Sequence, residues 1–200
     1  MKTDVTDALI VVDVQNCFLP GGSLGVEEGD QVIPVINRLV PLFEHKVYTR
    51  DWHPPDHVSF AAESPEYHDL SWPPHCVQNT EGAEFSTALD VVPDALVVSK
   101  GDDPDREAYS GFQASGIDLA AELRGRGVER VFVTGLATDY CVRATALDAK
   151  KAGFEVVLVR DAVRGVAPET TKRALAELDQ DGVDSTISEE IQPGDMVGSR

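Results

Sequence analysis

The sequence predicts an α/β fold with three layers, in which a mostly parallel central sheet carries helices on both faces. Strand patterns and helix patterns alternate along the chain, and this order builds parallel sheets from strand–helix–strand units. The first strand pattern is continuously apolar, as expected for a strand buried on both sides. The 200 residues make about one domain, so we predict a single domain over residues 1–200.

The strands are predicted from short apolar runs bounded by turn residues. They are Ala8–Val12, Lys46–Arg50, Ala95–Ser99, Arg130–Gly135, Phe154–Arg160 and a short strand near residues 182–186. Helical patterns lie between most of them. Asp30 is expected to cap a helix that runs to about Glu44 and is bent or shortened at Pro41.

Three more helices follow the same reasoning. One runs from Ser115 to about Arg126, and another is capped by Thr138 or Asp139 and runs to about Lys151. The last is predicted over Pro168–Leu178. The acidic tail from Ser188 is predicted to be loosely ordered.

Charge and cysteine content exclude some classes of protein. The net charge of −18 argues against binding to nucleic acid or to an anionic membrane, because both need a basic surface. The N-terminus does not resemble a secretory signal, so the cytoplasm is the expected compartment. Three cysteines, odd in number and widely spaced, predict free thiols, and we expect Cys17 and Cys76 to serve packing.

Four polar residues end predicted strands or follow closely behind them: Asp13, Asp51, Lys100 and Cys141. In an open parallel sheet, ligands bind outside the carboxyl ends of the strands, so these side chains are expected to converge. Cys141 falls in the first turn of a predicted helix, where the helix dipole would lower the thiol pKa and favour a nucleophilic thiolate. Asp13 would serve as general base, and Lys100 would hold its neighbours in their charged forms.

Residues 51–90 differ from the rest of the chain. They hold five prolines, four of the five histidines and both tryptophans, and long irregular segments inside compact domains are usually functional. Asp51 and His53 lie two apart at a strand end, and His57 and His75 follow. A carboxylate with two or three imidazoles suits zinc, iron or manganese, so we predict a metal-binding loop insertion at about residues 51–90.

Structural roles remain open for each of these residues taken alone. Cys141 could be a buried structural cysteine, and Asp13 could cap a loop. Lys100 could be an exposed surface lysine. Any one histidine could be a hydrogen-bonded loop residue, and this alternative is preferred for His68. His45 is expected at the surface. Phe18, Trp72 and Tyr109 are aromatic residues close to the candidate site, and they could sandwich a flat ring or pack in the core.

Five segments together resemble the nicotinamidases, within the isochorismatase-like cysteine hydrolases. They are IVVDVQNCFLPGGSL, TRDWHPPDHVSF, SWPPHCVQNTEGAEF, KGDDPDREAYSGF and VTGLATDYCVRATALDA, and the resemblance spans about residues 8 to 165. The family usually has an acid where this chain has Cys17, which puts the hydrogen bonding near Asp13 in question.

The resemblance implies a Rossmann-like, isochorismatase-like fold and the hydrolysis of nicotinamide in NAD salvage. It implies Asp13, Lys100 and Cys141 as the catalytic trio, and one divalent ion held by Asp51, His53 and His75. It further implies His57 as a less certain ligand. A non-proline cis peptide at Leu136–Ala137 would direct the backbone N–H groups of Ala137 and Cys141 at the substrate oxygen. The implied substrate-binding residues are Phe18, Trp72, Tyr109 and Leu136.

Small-molecule substrates are the expected partners, nicotinamide first and pyrazinamide as an extension, and the resemblance suggests a homo-oligomer. Three alternatives stay open. One is a sibling amidase for N-carbamoyl or ureido compounds, one is a hydrolase in which metal-bound water attacks, and one is a silent binding protein on the same fold.

Overall fold

The structure is a computed structural model, and it describes residues 1–61 and 71–194. His68 lies outside this part of the chain. Six strands form one sheet: β1 (Asp7–Val12), β2 (His45–Asp51), β3 (Leu96–Lys100), β4 (Arg130–Leu136), β5 (Glu155–Arg164) and β6 (Asp184–Thr186). Their order is β3-β2-β1-β4-β5-β6, and every neighbouring pair is parallel.

The strand order reverses at β1, whose sequential neighbour β2 lies on one side while β4 lies on the other. Such a reversal opens a crevice beyond the carboxyl ends of the two central strands. Val12 at the end of β1 is in register with Thr49 of β2 and with Gly135 of β4. The segments that follow β1 and β4 therefore begin side by side.

Helices cover both faces, as predicted. They are α1 (Val32–Leu39), α2 (Leu119–Gly125), α3 (Arg143–Lys151) and α4 (Pro168–Gln180). Successive residues of β1 enter different cores, because side chains alternate across a strand. Leu9 and Val11 pack with α1, whereas Ala8, Ile10 and Val12 pack with residues of α2, α3 and α4. The three-layer α/β prediction is thus confirmed.

Two predicted helices are shorter than expected. α1 ends at Leu39 and a single 3₁₀ turn, Val40–Leu42, follows it, because Pro41 cannot continue the hydrogen-bond ladder. Asp30 lies in the 3₁₀ turn before α1, and its side chain does not cap that helix. α2 begins only after Asp118, whose side-chain oxygen accepts a hydrogen bond from the Ala121 N–H at 3.0 Å.

Two predictions need correction in part. His45 was expected at the surface, and the tail from Ser188 was expected to be loosely ordered, although its residues 195–200 lie outside the described part of the chain. His45 is half-buried, because β2 begins at this residue. Ser188–Glu190 forms a 3₁₀ turn, and Gln192 pairs with Lys2, so residues 188–192 are attached to the body of the fold. Ser188 donates to Asp161 and Ile191 is buried, which fixes the segment. None of the helices in residues 1–61 and 71–194 is long and apolar enough to cross a membrane.

Candidate active site

The four polar residues at the strand ends converge, as the sequence predicts. The Lys100 ammonium lies at the centre of the group. Its Nζ is 2.8 Å from Asp13 Oδ2 and 3.3 Å from Cys141 Sγ, and it also contacts Asp51 Oδ1. One cation therefore touches two carboxylates and the thiol, and it joins the proposed catalytic trio to the proposed metal ligands.

Lys100 is completely buried, so it is not the surface lysine that the sequence left open. Burial alone would lower the pKa of Lys100, but the carboxylates of Asp13 and Asp51 raise it well above its ordinary value. The ammonium is therefore charged inside the protein. β3 positions it, since Lys100 is the last residue of that strand and pairs in register with Asp51 of β2.

Asp13 follows β1 with φ = 49°, in the left-handed region that residues with a side chain seldom adopt. Thr49 Oγ1 donates to Asp13 Oδ1 at 2.6 Å, which orients the carboxylate. Burial raises the pKa of Asp13; Lys100 opposes this shift and Asp51 adds to it, so the net direction is upward. A carboxylate with a raised pKa is a stronger base than an exposed one, which suits proton abstraction.

Cys141 does not lie in a simple first helical turn. Thr138–Val142 forms a π-helical turn that leads into α3, and neither Thr138 nor Asp139 caps it, because Ala137 occupies that position. The Asp139 carboxylate instead accepts hydrogen bonds from the N–H groups of Val166 and Ala167. Such π-helical turns inside helices occur frequently at functional sites.

The expected lowering of the Cys141 pKa was wrong. Burial raises the pKa of the Cys141 thiol well above its ordinary value; Lys100 lowers it only in part, and Asp13 adds to the increase. Desolvation of a thiolate outweighs a helix-terminus effect, because the side chain is almost fully buried. The resting group is a neutral thiol whose proton must be removed when substrate is bound.

Asp51, His53 and His75 form a cluster in which one ligand atom of each lies within 4.8 Å of the others. Asp51 Oδ2 is 3.6 Å from His53 Nε2 and 3.8 Å from His75 Nε2. The other ring nitrogens are occupied: His53 Nδ1 lies 2.9 Å from the Gly101 carbonyl, and His75 Nδ1 lies 2.9 Å from the Pro73 carbonyl. If each Nδ1 donates, both Nε2 lone pairs face the carboxylate, as metal-ligating histidines require.

The backbone and the charges around this cluster favour a cation. Gly101 has φ = 67°, and a Cβ there would come within 2.4 Å of the His53 ring, so the loop after β3 needs glycine to approach the imidazole. Burial would raise the pKa of Asp51, yet the Lys100 ammonium holds it well below its usual range. Burial lowers the pKa of His75 to about 4, so its imidazole is neutral at pH 7. An anionic carboxylate beside a neutral imidazole fits a divalent ion.

His57 lies outside this cluster and belongs to a second group, with His53 and Glu107. Its Nδ1 is 2.8 Å from Ser59 Oγ and its Nε2 is 3.2 Å from the Arg106 carbonyl. Both ring nitrogens thus have protein partners, which is the arrangement of a hydrogen-bonded loop histidine. The structure brings His57 next to the site, within a second group of possible metal ligands, and its role as a ligand stays a prediction.

A cavity opens beside Cys141, with aromatic walls. Trp72 Nε1 donates to the Tyr109 hydroxyl at 3.0 Å, and the Phe18 and His75 rings lie 5.6 Å apart between centroids. The predicted residues Phe18, Trp72 and Tyr109 all line it. Among the described residues, the cavity is lined by Phe18, Leu24, Asp51, Trp72, His75, Glu107, Tyr109, Ala137, Tyr140, Cys141 and Val166.

Leu136 was predicted to bind substrate, and it is not among the described residues that line the cavity. Leu136 is fully buried in the core that packs against α1, while the next residue, Ala137, lines the cavity. The Leu136–Ala137 peptide is cis, as the family resemblance implies. The roles of the Ala137 and Cys141 N–H groups toward a substrate oxygen stay predictions.

Sequence reasoning missed Leu24, Glu107, Tyr140 and Val166 as cavity residues. Tyr140 precedes Cys141, and Glu107 lies two residues before Tyr109. Their closeness in sequence to these two candidate site residues could have indicated that they line the cavity. The ring of Tyr140 meets that of Trp72 edge-on, with centroids 4.9 Å apart. Leu24 and Val166 come from loops whose positions depend on the whole fold.

The prediction of three free thiols was also wrong, because Cys17 and Cys76 form a disulfide. Their Cα atoms are 5.7 Å apart although 59 residues separate them in sequence. Spacing along the chain carried no signal of this pairing. Within the described residues, Cys141 is the free cysteine.

Comparison with known proteins agrees with this geometry. Residues 7–190 match the model of the isochorismatase domain family. A nicotinamidase of Acinetobacter baylyi is 41% identical over 181 residues, which cover 83% of this chain and 85% of the relative. The pyrazinamidase of Pyrococcus horikoshii, solved in complex with zinc, is 52% identical with a TM-score of 0.81, covering 91% of this chain and 99% of that one.

A second similar structure is PnC1 from L. infantum, solved in complex with nicotinate. It is 38% identical with a TM-score of 0.87, and the alignment covers 96% of this chain and 97% of that one. This last alignment spans nearly the whole of each protein. The chain belongs to the isochorismatase family and groups within it with the nicotinamidases.

Proposed function

We propose that this chain hydrolyses the carboxamide of nicotinamide to nicotinate and ammonia, through a thioester on Cys141. The observation that carries the proposal is the position of the Lys100 ammonium, in contact with Asp13, Asp51 and Cys141 at the wall of an aromatic cavity. This arrangement combines a base, a nucleophile and a cation beside a set of metal ligands. The names of the similar proteins, a nicotinamidase and a zinc-bound pyrazinamidase, support the same substrate class.

The cavity would bind a flat heteroaromatic ring. Trp72, Tyr109 and Phe18 supply apolar surface, and the carboxamide would point toward Cys141. A divalent ion held by Asp51, His53 and His75 would supply a Lewis acid for the ring nitrogen. Zinc is the first expectation, with iron or manganese as alternatives.

The chemistry at Cys141 begins with its buried proton. Asp13 takes the proton, and Lys100 stabilises the thiolate that results, since Nζ is 3.3 Å from Sγ. The sulfur attacks the carboxamide carbon, and the developing oxyanion accepts hydrogen bonds from the Ala137 and Cys141 N–H groups. Protonated Asp13 gives its proton to the departing nitrogen, so ammonia leaves and a thioester remains.

Hydrolysis of the thioester uses the same groups in reverse order. Asp13 accepts a proton from water as the oxygen attacks the thioester carbon. The C–S bond breaks, nicotinate is released, and the proton returns from Asp13 to the sulfur. The resting thiol and carboxylate are restored, so one water is consumed for each ammonia formed.

The wider organisation of the protein follows from the same proposal. Residues 1–200 would form one hydrolase domain, and residues 51–90 would be its metal-binding insertion. His57 would be a less certain further ligand, and its ring centroid lies 4.2 Å from that of His53. Homo-oligomerisation stays a prediction, which light scattering of the purified protein would test.

The test is ammonia release from nicotinamide by the purified chain, as isolated, after chelation, and after zinc, iron or manganese is restored. Activity that is lost with the chelator and returns with one ion supports the proposal. Cys141→Ala should abolish turnover and retain bound metal, and mass spectrometry of the native chain during turnover should detect the acyl-enzyme.

Two outcomes would contradict the proposal. Full activity in Cys141→Ala, with loss in Asp51→Ala, would favour attack by metal-bound water. No ammonia from nicotinamide, together with release from an N-carbamoyl or ureido compound, would favour the sibling amidase. A chain that binds nicotinamide tightly and turns over none of these compounds would be a silent binding protein.

A further inference from the structure

The Cys17–Cys76 disulfide lies directly beside the candidate site. Cys17 is in the 3₁₀ turn Asn16–Phe18 that follows β1, and Cys76 lies in the long segment after β2. Both residues are about 1% exposed, so the bond is enclosed by protein. It joins two segments whose sequence positions differ by 59 residues.

Each bridged cysteine is the chain neighbour of a site residue. Cys17 precedes Phe18, which lines the cavity, and Cys76 follows His75, which belongs to the proposed metal cluster. The Phe18 and His75 rings are in contact, with centroids 5.6 Å apart. The disulfide therefore links the backbone that carries an aromatic wall to the backbone that carries an imidazole ligand.

Residues 71–80, which carry His75, form no helix or strand. Cys76 has φ = 43°, in the left-handed region that is unfavourable for a residue with a side chain. Two backbone hydrogen bonds hold the segment against His53: the His53 N–H donates to the Cys76 carbonyl at 3.1 Å, and the Gln78 N–H donates to the His53 carbonyl at 2.8 Å. A strained backbone persists only where its surroundings enforce it.

We propose that the Cys17–Cys76 disulfide positions His75 in the metal centre, so that the bridge slows the release of the bound divalent ion. This inference rests on the metal site of the proposed function. The disulfide fixes the backbone next to His75, in addition to the two backbone hydrogen bonds with His53. His75 is thereby held between two constraints, and its Nε2 stays directed at Asp51.

Burial of the bridge has a chemical consequence. Formation of the bond removes two protons and two electrons from the two thiols, and a small-molecule disulfide accepts them as it becomes two thiols. Reduction requires attack on a sulfur atom, and both sulfur atoms are enclosed in the folded protein. The folded chain should therefore keep the bridge in the presence of mild thiol reductants.

The first step of the test counts thiols in wild-type protein unfolded without reductant. One reactive thiol, from Cys141, is expected, and three are expected after reduction. Three thiols before reduction would overturn the inference, because the bridge would then be absent.

The second step measures zinc release to a chromophoric chelator in stopped flow, for wild type, Cys17→Ser, Cys76→Ser and the double variant. Release should be roughly ten- to hundredfold faster in each variant, which is the usual effect of losing a group that orients a metal ligand. Since either substitution removes the whole bridge, both single variants and the double variant should be equally fast.

A matched control separates positioning from general loss of stability. Leu178→Ala weakens the core on the other face of the sheet, and Leu178 belongs to neither the metal cluster nor the cavity. Its zinc release should equal that of wild type even where its unfolding midpoint falls as far as that of Cys17→Ser. If Leu178→Ala releases zinc as fast as the serine variants do, the bridge acts only through the stability of the fold, and the inference is overturned.

The remaining outcomes distinguish this inference from the proposed function. Unchanged release in the three serine variants would overturn the positioning role and leave the metal centre in place. A wild-type chain that binds no zinc, iron or manganese would overturn the metal centre and the positioning role together.

Discussion

The two ends of the central sheet both carry buried charges, but they use them differently. At the amino end, Asp7 of β1 forms a two-point ion pair with Arg130 of β4, at 2.8 Å (Nε to Oδ1) and 2.7 Å (Nη2 to Oδ2). At the carboxyl end, the single Lys100 ammonium serves two carboxylates and a thiol. The first arrangement is balanced, and the second has more acid than base.

This difference separates a structural ion pair from a reactive one. The Asp7 hydrogen bond is the main reason that the pKa of Arg130 is raised, and the pair has no group left to react. Around Lys100, burial raises the pKa of both Asp13 and Cys141, so each resists carrying a negative charge. The Lys100 ammonium compensates the negative charges around it only in part, which lowers the stability of the fold. Groups with pKa values shifted in this way are suited to proton transfer.

The largest expected effect is that of Lys100→Met. Two buried carboxylates would lose their shared cation, so we expect loss of turnover by roughly a thousandfold or more, with a loss of about 3–5 kcal/mol in the free energy of unfolding. Ammonia release and urea unfolding measure the two quantities. The exposed Lys151, paired with Asp148 at 3.0 Å, provides the control, since Lys151→Met should change stability by less than about 0.5 kcal/mol. Similar effects of the two substitutions would refute the contrast between buried and exposed cations.

Asp13→Asn should separate activity from stability. The amide keeps the shape of the side chain and cannot accept the Cys141 proton, so turnover should fall by roughly 10²–10⁴-fold. Stability should be unchanged or increased, because one of two carboxylates competing for Lys100 is removed. Steady-state kinetics and urea unfolding test both parts. An active Asp13→Asn variant would show that another group is the base.

Arg130→Met, at the amino end of the sheet, should lower stability and leave activity unchanged. Asp7 is almost fully buried and would lose its partner, whereas the Arg130 side chain is 24% exposed, so we expect a loss of about 2 kcal/mol. The kcat for ammonia release should match that of wild type, because the pair lies at the far end of the strands. Adding Asp7→Asn to Arg130→Met should recover part of the stability. A lower kcat at full folding would mean that the two ends of the sheet are coupled.

The last expected effect appears only at alkaline pH and concerns a buried neutral side chain, that of Tyr48, between the two ends of the sheet. Tyr48 in β2 donates to the Asp90 carbonyl at 2.6 Å, and burial, aided by Asp90, raises the pKa of Tyr48 from 10.0 to about 12. The unfolded chain ionises above pH 10 while the folded chain does not. Stability from this group is thus complete below pH 10 and is lost as pH rises toward 12, to the extent of about 2 kcal/mol. Urea unfolding at pH 9 to 11.5 should show a steeper decline for wild type than for Tyr48→Phe, and identical slopes would contradict this assignment.

Several features of this protein were determined by the sequence alone. Alternating strand and helix patterns were enough for the three-layer sheet, because side-chain periodicity records which faces are buried. Asp13, Asp51, Lys100 and Cys141 could be brought together from their positions at strand ends, since parallel strands end at a common edge. The histidine-rich segment could be recognised from composition.

Only the tertiary structure decided the remaining features, because they depend on contacts between distant segments. The pairing of Cys17 with Cys76 and the cavity positions of Leu24 and Val166 arise where loops meet. The direction of the Cys141 pKa shift depends on how completely the thiol is buried, and neighbouring residues in the sequence do not reveal burial. The burial of Leu136 in the core, one residue before Ala137 at the cavity wall, likewise depends on the turn after β4. Local patterns encode which element forms, whereas desolvation and long-range contacts are properties of the assembled fold.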